Sequence, residues 1–338
     1  MVNSNLRSLA TATVTTTVEA DGVGACVPAL ARGRVHSVFT RACNIQTHAG
    51  ELLTLLAADL GNQPHGIRIA APGLLSERLR PGQDTFLDGG RLCVPAAGLT
   101  ADFSRAAIWN GSLDAASTML RIGGDSKKIS PALWQVRNVL REQAPEQGIA
   151  ILLKGIAVGF PALERALAAR LMRVLPALAH ATHARKGEAV TAAVSGLVGL
   201  GAGLTPSGDD FIVGYLAALR CRAGREAGIG ALLRDSALPL ERAIAHTHAI
   251  SRQMLRDAVN GRFSESLIDV VRAIHGAGDV VTATLQALKC GHSSGADTLC
   301  GLLFGLSPEM LLPSAQSTRR PARAGREPYG RAATTLAC

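Results

Sequence analysis

The stretch SPALWQVRNVLREQ, residues 130–143, is where this chain changes character. Ser130 stands where an N-cap is wanted, Pro131 suits a first helical turn, and Leu133, Val136 and Leu140 recur at helical spacing. This reads as an amphipathic helix opening at 130–131. Upstream, nothing has that period. From about residue 22 to 125, short apolar runs (RVHSVF, ELLTLLA, GIRIAAP, DTFLDGGRLCVPAAG) alternate with turn residues, which is strand patterning. TFLD and RLCVP flank Gly89-Gly90, a hairpin signal. Downstream the helical period persists, with candidate helices at 161–183, 187–197, 209–223, 238–260, 265–275, 279–289 and 295–306. The expected fold class is α+β, a mainly β N-terminal domain followed by a mainly α-helical C-terminal domain. The expected divisions are a flexible N-terminus over 1–21, the β domain over 22–128, the helical domain over 129–312 and a disordered basic tail over 313–338.

A chain of 338 residues with 47% hydrophobic content has enough apolar mass for two cores. Aromatics make up only 3%, so stacking platforms for bases are missing, and nucleic-acid binding is not expected despite a net charge of +9. About half of that excess sits in the tail, where Arg319, Arg320, Arg323, Arg326 and Arg331 face Glu327 alone. The seven cysteines (26, 43, 93, 221, 290, 300 and 338) form no C-x-x-C, which reads as reduced thiols in a cytoplasmic protein. MVNSNLRSLATATVTTTVEA lacks a continuous apolar core of the secretory kind, and AVTAAVSGLVGLGAGL is too short and Gly-rich to span a bilayer. No membrane association is expected.

The chemistry-bearing segment of the helical half is GLGAGLTPSGDD, residues 199–210. It has an echo 87 positions on. SGDDFIVGYL (207–216) and SGADTLCGLL (294–303) share S-G-x-D-x-x-x-G-x-L. Read locally, Ser207 and Ser294 are N-caps and Asp210 and Asp297 occupy the capping-box position. Gly214 and Gly301, about a turn further, admit another backbone. The first copy holds more than a cap needs: Gly199, Gly201, Gly203, Thr205, Gly208 and a second carboxylate, Asp209. Glycines that turn backbone N–H groups inward, ahead of a helix start, suit phosphate or carboxylate oxygens. No Walker loop or dinucleotide fingerprint is present, and anion binding and purely structural use both stay open. The expected division is Asp210 for the cap and Asp209 for the ligand, through a proton or a Mg²⁺ ion.

Around the second copy, His292, Ser293, Ser294 and Gly295 form a polar approach in which His292 is an anion donor or proton shuttle, or else a plain loop histidine. Thr247 and Ser251, four apart on one helical face, line a polar pocket or serve helix packing. His246 and His248 read as a helical surface. Cys290, His292 and Cys300 lack a recognised zinc spacing.

Taken together, GLGAGLTPSGDDFIVG, HAISRQMLRDAVNGRFSESL and GHSSGADTLCG resemble the AllH family. That family's forms run close to G-L-G-x-G-L-T-P-S-G-D-D, T-x-x-I-S-x-x-x-L and G-H-x-S-G-A-D. SVFTRACNIQT is similar to the family's opening, more loosely. The likeness covers roughly residues 30 to 310. It implies a subunit of oxamate carbamoyltransferase, which in allantoin degradation (purine nitrogen catabolism) takes oxalurate and phosphate to oxamate and carbamoyl phosphate. It implies partner subunits similar to FdrA and AllG. On that resemblance Asp209, Asp210, His292 and Asp297 are the catalytic candidates. Gly199, Gly201, Gly203, Thr205, Ser207, Gly208, Thr247, Ser251, Ser293, Ser294 and Gly295 are the candidates for binding substrate or phosphate. The Ser-Thr-Arg type of phosphate loop found in aspartate and ornithine carbamoyltransferases is absent. Two alternatives remain: a non-catalytic scaffold of that complex, or a stand-alone metal-dependent ligase or carboxylase.

Overall fold

A computed structural model of the chain describes residues 15–70, 73–113, 126–155 and 160–312. The expected disordered tail and residues 1–14 lie outside the described residues. Among the described residues, the N-terminal half has nine strands: β1 (Thr16–Gly24), β2 (Leu30–Val38), β3 (Ala42–Thr47), β4 (Leu52–Ala57), β5 (Gly66–Ile69), β6 (Asp84–Asp88), β7 (Arg91–Val94), β8 (Leu99–Asp102) and β9 (Ala107–Trp109). A short helix α1 (Gly73–Arg78) follows β5. The strand order is β5-β4-β3-β2-β6-β7-β8-β1-β9, and β1 also pairs with β5, which closes β1 to β8 into an eight-stranded barrel. β1 joins β8 in parallel through Thr16–Glu19 and carries β9 beyond it on Gly22–Gly24. Residues 16–21, expected to be flexible, are thus the first part of a strand that closes the barrel.

Alternation fills the barrel. In β6, Thr85 and Leu87 point inward between exposed neighbours, and Leu92 and Val94 do so in β7 across the Gly89-Gly90 turn. Leu75 and Leu79, in and just after α1, complete the interior. β4 departs from the alternation because both of its faces are covered. Leu53 and Leu55 enter the barrel core, whereas Leu52, Thr54 and Leu56 face the helical half.

The helical half comprises α2 (Ser126–Gln143), α3 (Ile151–Lys154), α4 (Ala162–His183), α5 (Gly187–Ser195), α6 (Ser207–Ala223), α7 (Ala227–Ala243), α8 (Ala249–Val259), α9 (Glu265–Ile274), α10 (Val280–Ala287) and α11 (Ser294–Leu306). It has a core separate from the barrel's. Leu133, Val136 and Leu140 are buried as expected, but α2 begins at Ser126, so Pro131 is inside the helix and Ser130 is no cap. The expected single helix over 238–260 is two. α7 ends at Ala243, Thr247 and His248 are extended, and α8 starts anew at Ala249.

The halves are tied at several points. Leu113 N–H donates to Gly261 O, Phe263 N–H to Gly111 O, and Glu265 N–H to Asn62 O. The Glu265 carboxylate accepts from the Asn62 N–H at 2.8 Å and its side-chain amide at 2.9 Å. No helix among the described residues is long and apolar enough to cross a membrane.

Candidate functional site: two joined helix starts

α6 and α11 are the two copies of the echo, and they pack side by side and parallel, more intimately than any other pair of elements. The glycines explain the closeness. A Cβ on Gly214 would sit 1.8 Å from the Thr298 carbonyl oxygen, and one on Gly301 would sit 2.0 Å from that of Phe211. Positions 211 and 298 are equivalent in the echo, as are 214 and 301, so each helix gives the other the same contact. This is a local two-fold relation. At the far end, Arg222 Nη1 donates to Gly305 O at 2.9 Å. Phe304 lies against Phe211 and Tyr215 with ring centroids 5.4 and 6.2 Å apart.

Parallel packing brings both N-termini, with their partial positive charges, to one place. The local capping expectation fails there. Pro206 and Ser293 are the cap positions, and neither helix has a side-chain cap hydrogen bond. Loop carbonyls do the capping instead, Leu200 O for Gly208 N–H and Cys290 O for Gly295 N–H. A Cβ on Gly208 would meet Leu197 O at 2.0 Å, and one on Gly295 would meet Ala287 O at 2.1 Å, so both glycines serve that fold-back.

The serines and aspartates freed from capping meet across the pair. The Ser294 hydroxyl lies against the Asp210 carboxyl and the Ser207 hydroxyl against Asp297, each helix serving the other's acid. Asp210 and Asp297 are 1% and 0% exposed, and one oxygen of each, Oδ2, is buried with no hydrogen-bond partner among the described residues. Burial pushes the Asp210 carboxyl well above the usual range, with the charges of Asp297 and Asp209 adding and the hydroxyls of Ser294 and Thr205 opposing. Burial likewise pushes Asp297 up to about 7, against the Ile149 N–H and the hydroxyls of Ser207 and Ser293. Ile149 N–H reaches Asp297 Oδ1 at 2.6 Å, from a turn in which a Cβ on Gly148 would strike the same carboxyl. Burial thus shifts both carboxyls toward the protonated form.

Asp209 ties other segments to the start of α6. It is 1% exposed, with Oδ1 accepting from the Gly199 N–H at 2.8 Å and Oδ2 from the Thr247 hydroxyl. It thereby clamps the Gly-rich loop and the α7–α8 junction onto the start of α6. Gly199, Gly201 and Gly203 have φ of 69°, 118° and 94°, a left-handed run that side chains oppose. A Cβ on Gly199 or Gly203 would meet open space, so conformation and not crowding calls for glycine there. Ser251 is 1% exposed, its hydroxyl unpartnered among the described residues. His292 is exposed on the loop before α11, apart from the buried acids.

A cavity of about 260 Å³ opens between the barrel and the helices beside these starts. Thr205, Gly291, Ser294 and Gly295 line it, and so do Leu52, Thr54 and Leu56 of β4. Its lining also includes His65, Gln253, Asp257 and Arg262, which the sequence did not single out. His65 and Asp257 are 192 residues apart, and no local pattern links them.

Among the described residues, no group of three or more His, Cys, Asp or Glu side chains is arranged to hold a metal ion. Both oxygens of Asp209 accept hydrogen bonds from the protein.

Residues 197–306 match the family model described as oxamate carbamoyltransferase subunit AllH. Residues 16–108 match the one described as AllH family N-terminal domain. The first match contains both joined helices, and the second spans the barrel. No solved structure matches the chain.

Proposed function

The chain belongs to the AllH family, the AllH subunit of oxamate carbamoyltransferase, and we propose that it gives that enzyme a small-anion site at the joined starts of α6 and α11. The reaction assigned is the conversion of oxalurate and phosphate to oxamate and carbamoyl phosphate, in allantoin breakdown. FdrA-like and AllG-like subunits complete the complex, and the setting is cytoplasmic. Both substrates are anions. The single observation that carries the reading is the parallel pairing of two helix N-termini over a cavity, since each start contributes positive potential and N–H groups.

Carboxylates at such a place repel an anion if both are ionised. Burial answers this. Burial favours the protonated form of Asp210 and Asp297, and a neutral carboxyl donates a hydrogen bond as well as accepting one. Thr205 and Ser294, which line the cavity in front of those acids, are the hydroxyls that touch the ligand. Asp209 holds the 199–206 loop in shape and carries no proton in the reaction.

The test is steady-state kinetics of the co-expressed complex on oxalurate and phosphate. Thr205→Val and Ser294→Ala each remove about 1 kcal/mol of hydrogen bonding, so KM for one of the two anions should rise roughly five- to tenfold. Unchanged KM for both anions in both variants overturns the anion site and leaves a scaffold role.

A further inference from the structure

The interdomain cavity has a second polar group set, supplied jointly by the barrel and α8. His65 stands just before β5, and its Nδ1 lies 3.1 Å from Asp257 Oδ2, with the two side chains 13% and 11% exposed. One turn earlier on α8, Gln253 Nε2 donates to Asp257 Oδ1 at 3.4 Å. The Oε1 of Gln253 in turn accepts the Leu52 N–H of β4 at 3.4 Å. The Asp257 carboxylate is thus held from both sides. Gln253 Nε2 also lies 3.4 Å from His65 Nδ1, and the closer carboxylate favours the Nδ1–H tautomer, in which Nε2 carries the lone pair. No described protein group bonds Nε2. Arg262, exposed, lines the same cavity and has no ion pair among the described residues.

We propose that His65 is the acid–base residue of carbamoyl transfer, oriented by Asp257 and Gln253, and that the cavity between barrel and helices is where the reacting groups meet. This rests on the anion-site reading above, and it gives the barrel a chemical part in the reaction. The chemistry requires one proton to move. An oxygen of hydrogenphosphate attacks the ureido carbonyl carbon of oxalurate, a C–O bond forms, and the C–N bond to the oxamate nitrogen breaks. The phosphate proton ends on that nitrogen, so no net proton is taken up or released. Nε2 of His65 accepts the proton from phosphate and returns it to the leaving nitrogen, while ionised Asp257 stabilises the intervening imidazolium. Arg262 supplies the counter-charge that two anions need when they share one cavity.

The experiment compares the assembled complex with wild-type, His65→Gln and His65→Ala chains on oxalurate and phosphate. General acid–base catalysis contributes about 10²- to 10⁴-fold, so His65→Gln should lower kcat by that order, with KM for both substrates within about twofold. Its melting temperature should match the wild type. Added imidazole should restore part of the kcat lost in His65→Ala, which a merely structural defect would not permit. A kcat for His65→Gln within about threefold of wild type overturns the inference and leaves the anion site standing. Failure of imidazole to raise His65→Ala activity also counts against it. A wild-type complex that does not turn over these substrates overturns the functional reading itself, and this inference with it.

Discussion

At the scale of single residues, the two acids of the SGDD segment are set apart by their neighbours. The carboxylate beside the presumed cap, Asp209, is the one fully engaged by protein donors, through Gly199 and Thr247. Asp210, expected to cap the helix, is instead buried against the other helix with one oxygen unpartnered among the described residues. This has a consequence for pH. An acid whose folded pKa is raised holds a proton in the native state that the unfolded chain has already released. The stabilising effect is present at low pH and is lost as pH rises from 3.8 toward about 7 for Asp297, with Asp210 acting in the same direction. At about 1.4 kcal/mol per pKa unit, the Asp297 contribution is bounded at about 4 kcal/mol. Urea unfolding at pH 5 and pH 8 should show lower stability at the higher pH, and Asp297→Asn should flatten the difference. Equal slopes in wild type and variant would refute the buried-proton account.

At the scale of elements, the pairing of α6 with α11 depends on two glycines more than on any apolar residue. A methyl group at Gly214 or Gly301 meets a carbonyl oxygen of the partner helix, and backbone cannot move aside as a side chain would. Overpacking costs about 1–3 kcal/mol in ordinary cores, and a backbone clash belongs at the top of that range or above it. Gly214→Ala and Gly301→Ala should therefore each lower the urea midpoint by the equivalent of about 3 kcal/mol. The double variant should cost less than the two together, because the first substitution already spreads the helices. Strict additivity in the double variant would mean that the two contacts do not belong to one interface. The echo was visible as a repeated pattern, and its small residues already suggested a close backbone approach. What no local pattern supplied was the identity of the approaching backbone, which is the other copy of the same motif.

For the whole molecule, two cores meet through polar links, and the cavity lies along that boundary. Glu265 is the central link, accepting from Asn62 twice and lying 3.6 Å from Arg68 Nη1. Hydrogen bonds to a charged group are worth about 1.5–3 kcal/mol, and Glu265→Ala should remove a contribution of that order. It should also separate the unfolding of barrel and helices into two steps, seen as non-coincident transitions by far-UV circular dichroism and tryptophan fluorescence. A single coincident transition with an unchanged midpoint would show that other contacts hold the halves together.

The sequence by itself determined the two-part architecture, because strand and helix periods are local properties that survive any arrangement of the elements. It determined the Gly89-Gly90 hairpin and most helices for the same reason. The motif positions 199–210 and 291–297 were legible because rare residue types cluster there. It left barrel closure undecided, since nothing in β1 announces that it will pair with both β5 and β8. It also left open the break between α7 and α8, where Thr247 leaves the helix to reach Asp209. The pairing of acids 87 positions apart and the His65–Asp257 contact, 192 positions apart, were decided only by the tertiary structure. The physical reason is that a carboxyl's protonation and a histidine's tautomer depend on burial and on the neighbours packing brings. Neither exists until the chain has folded.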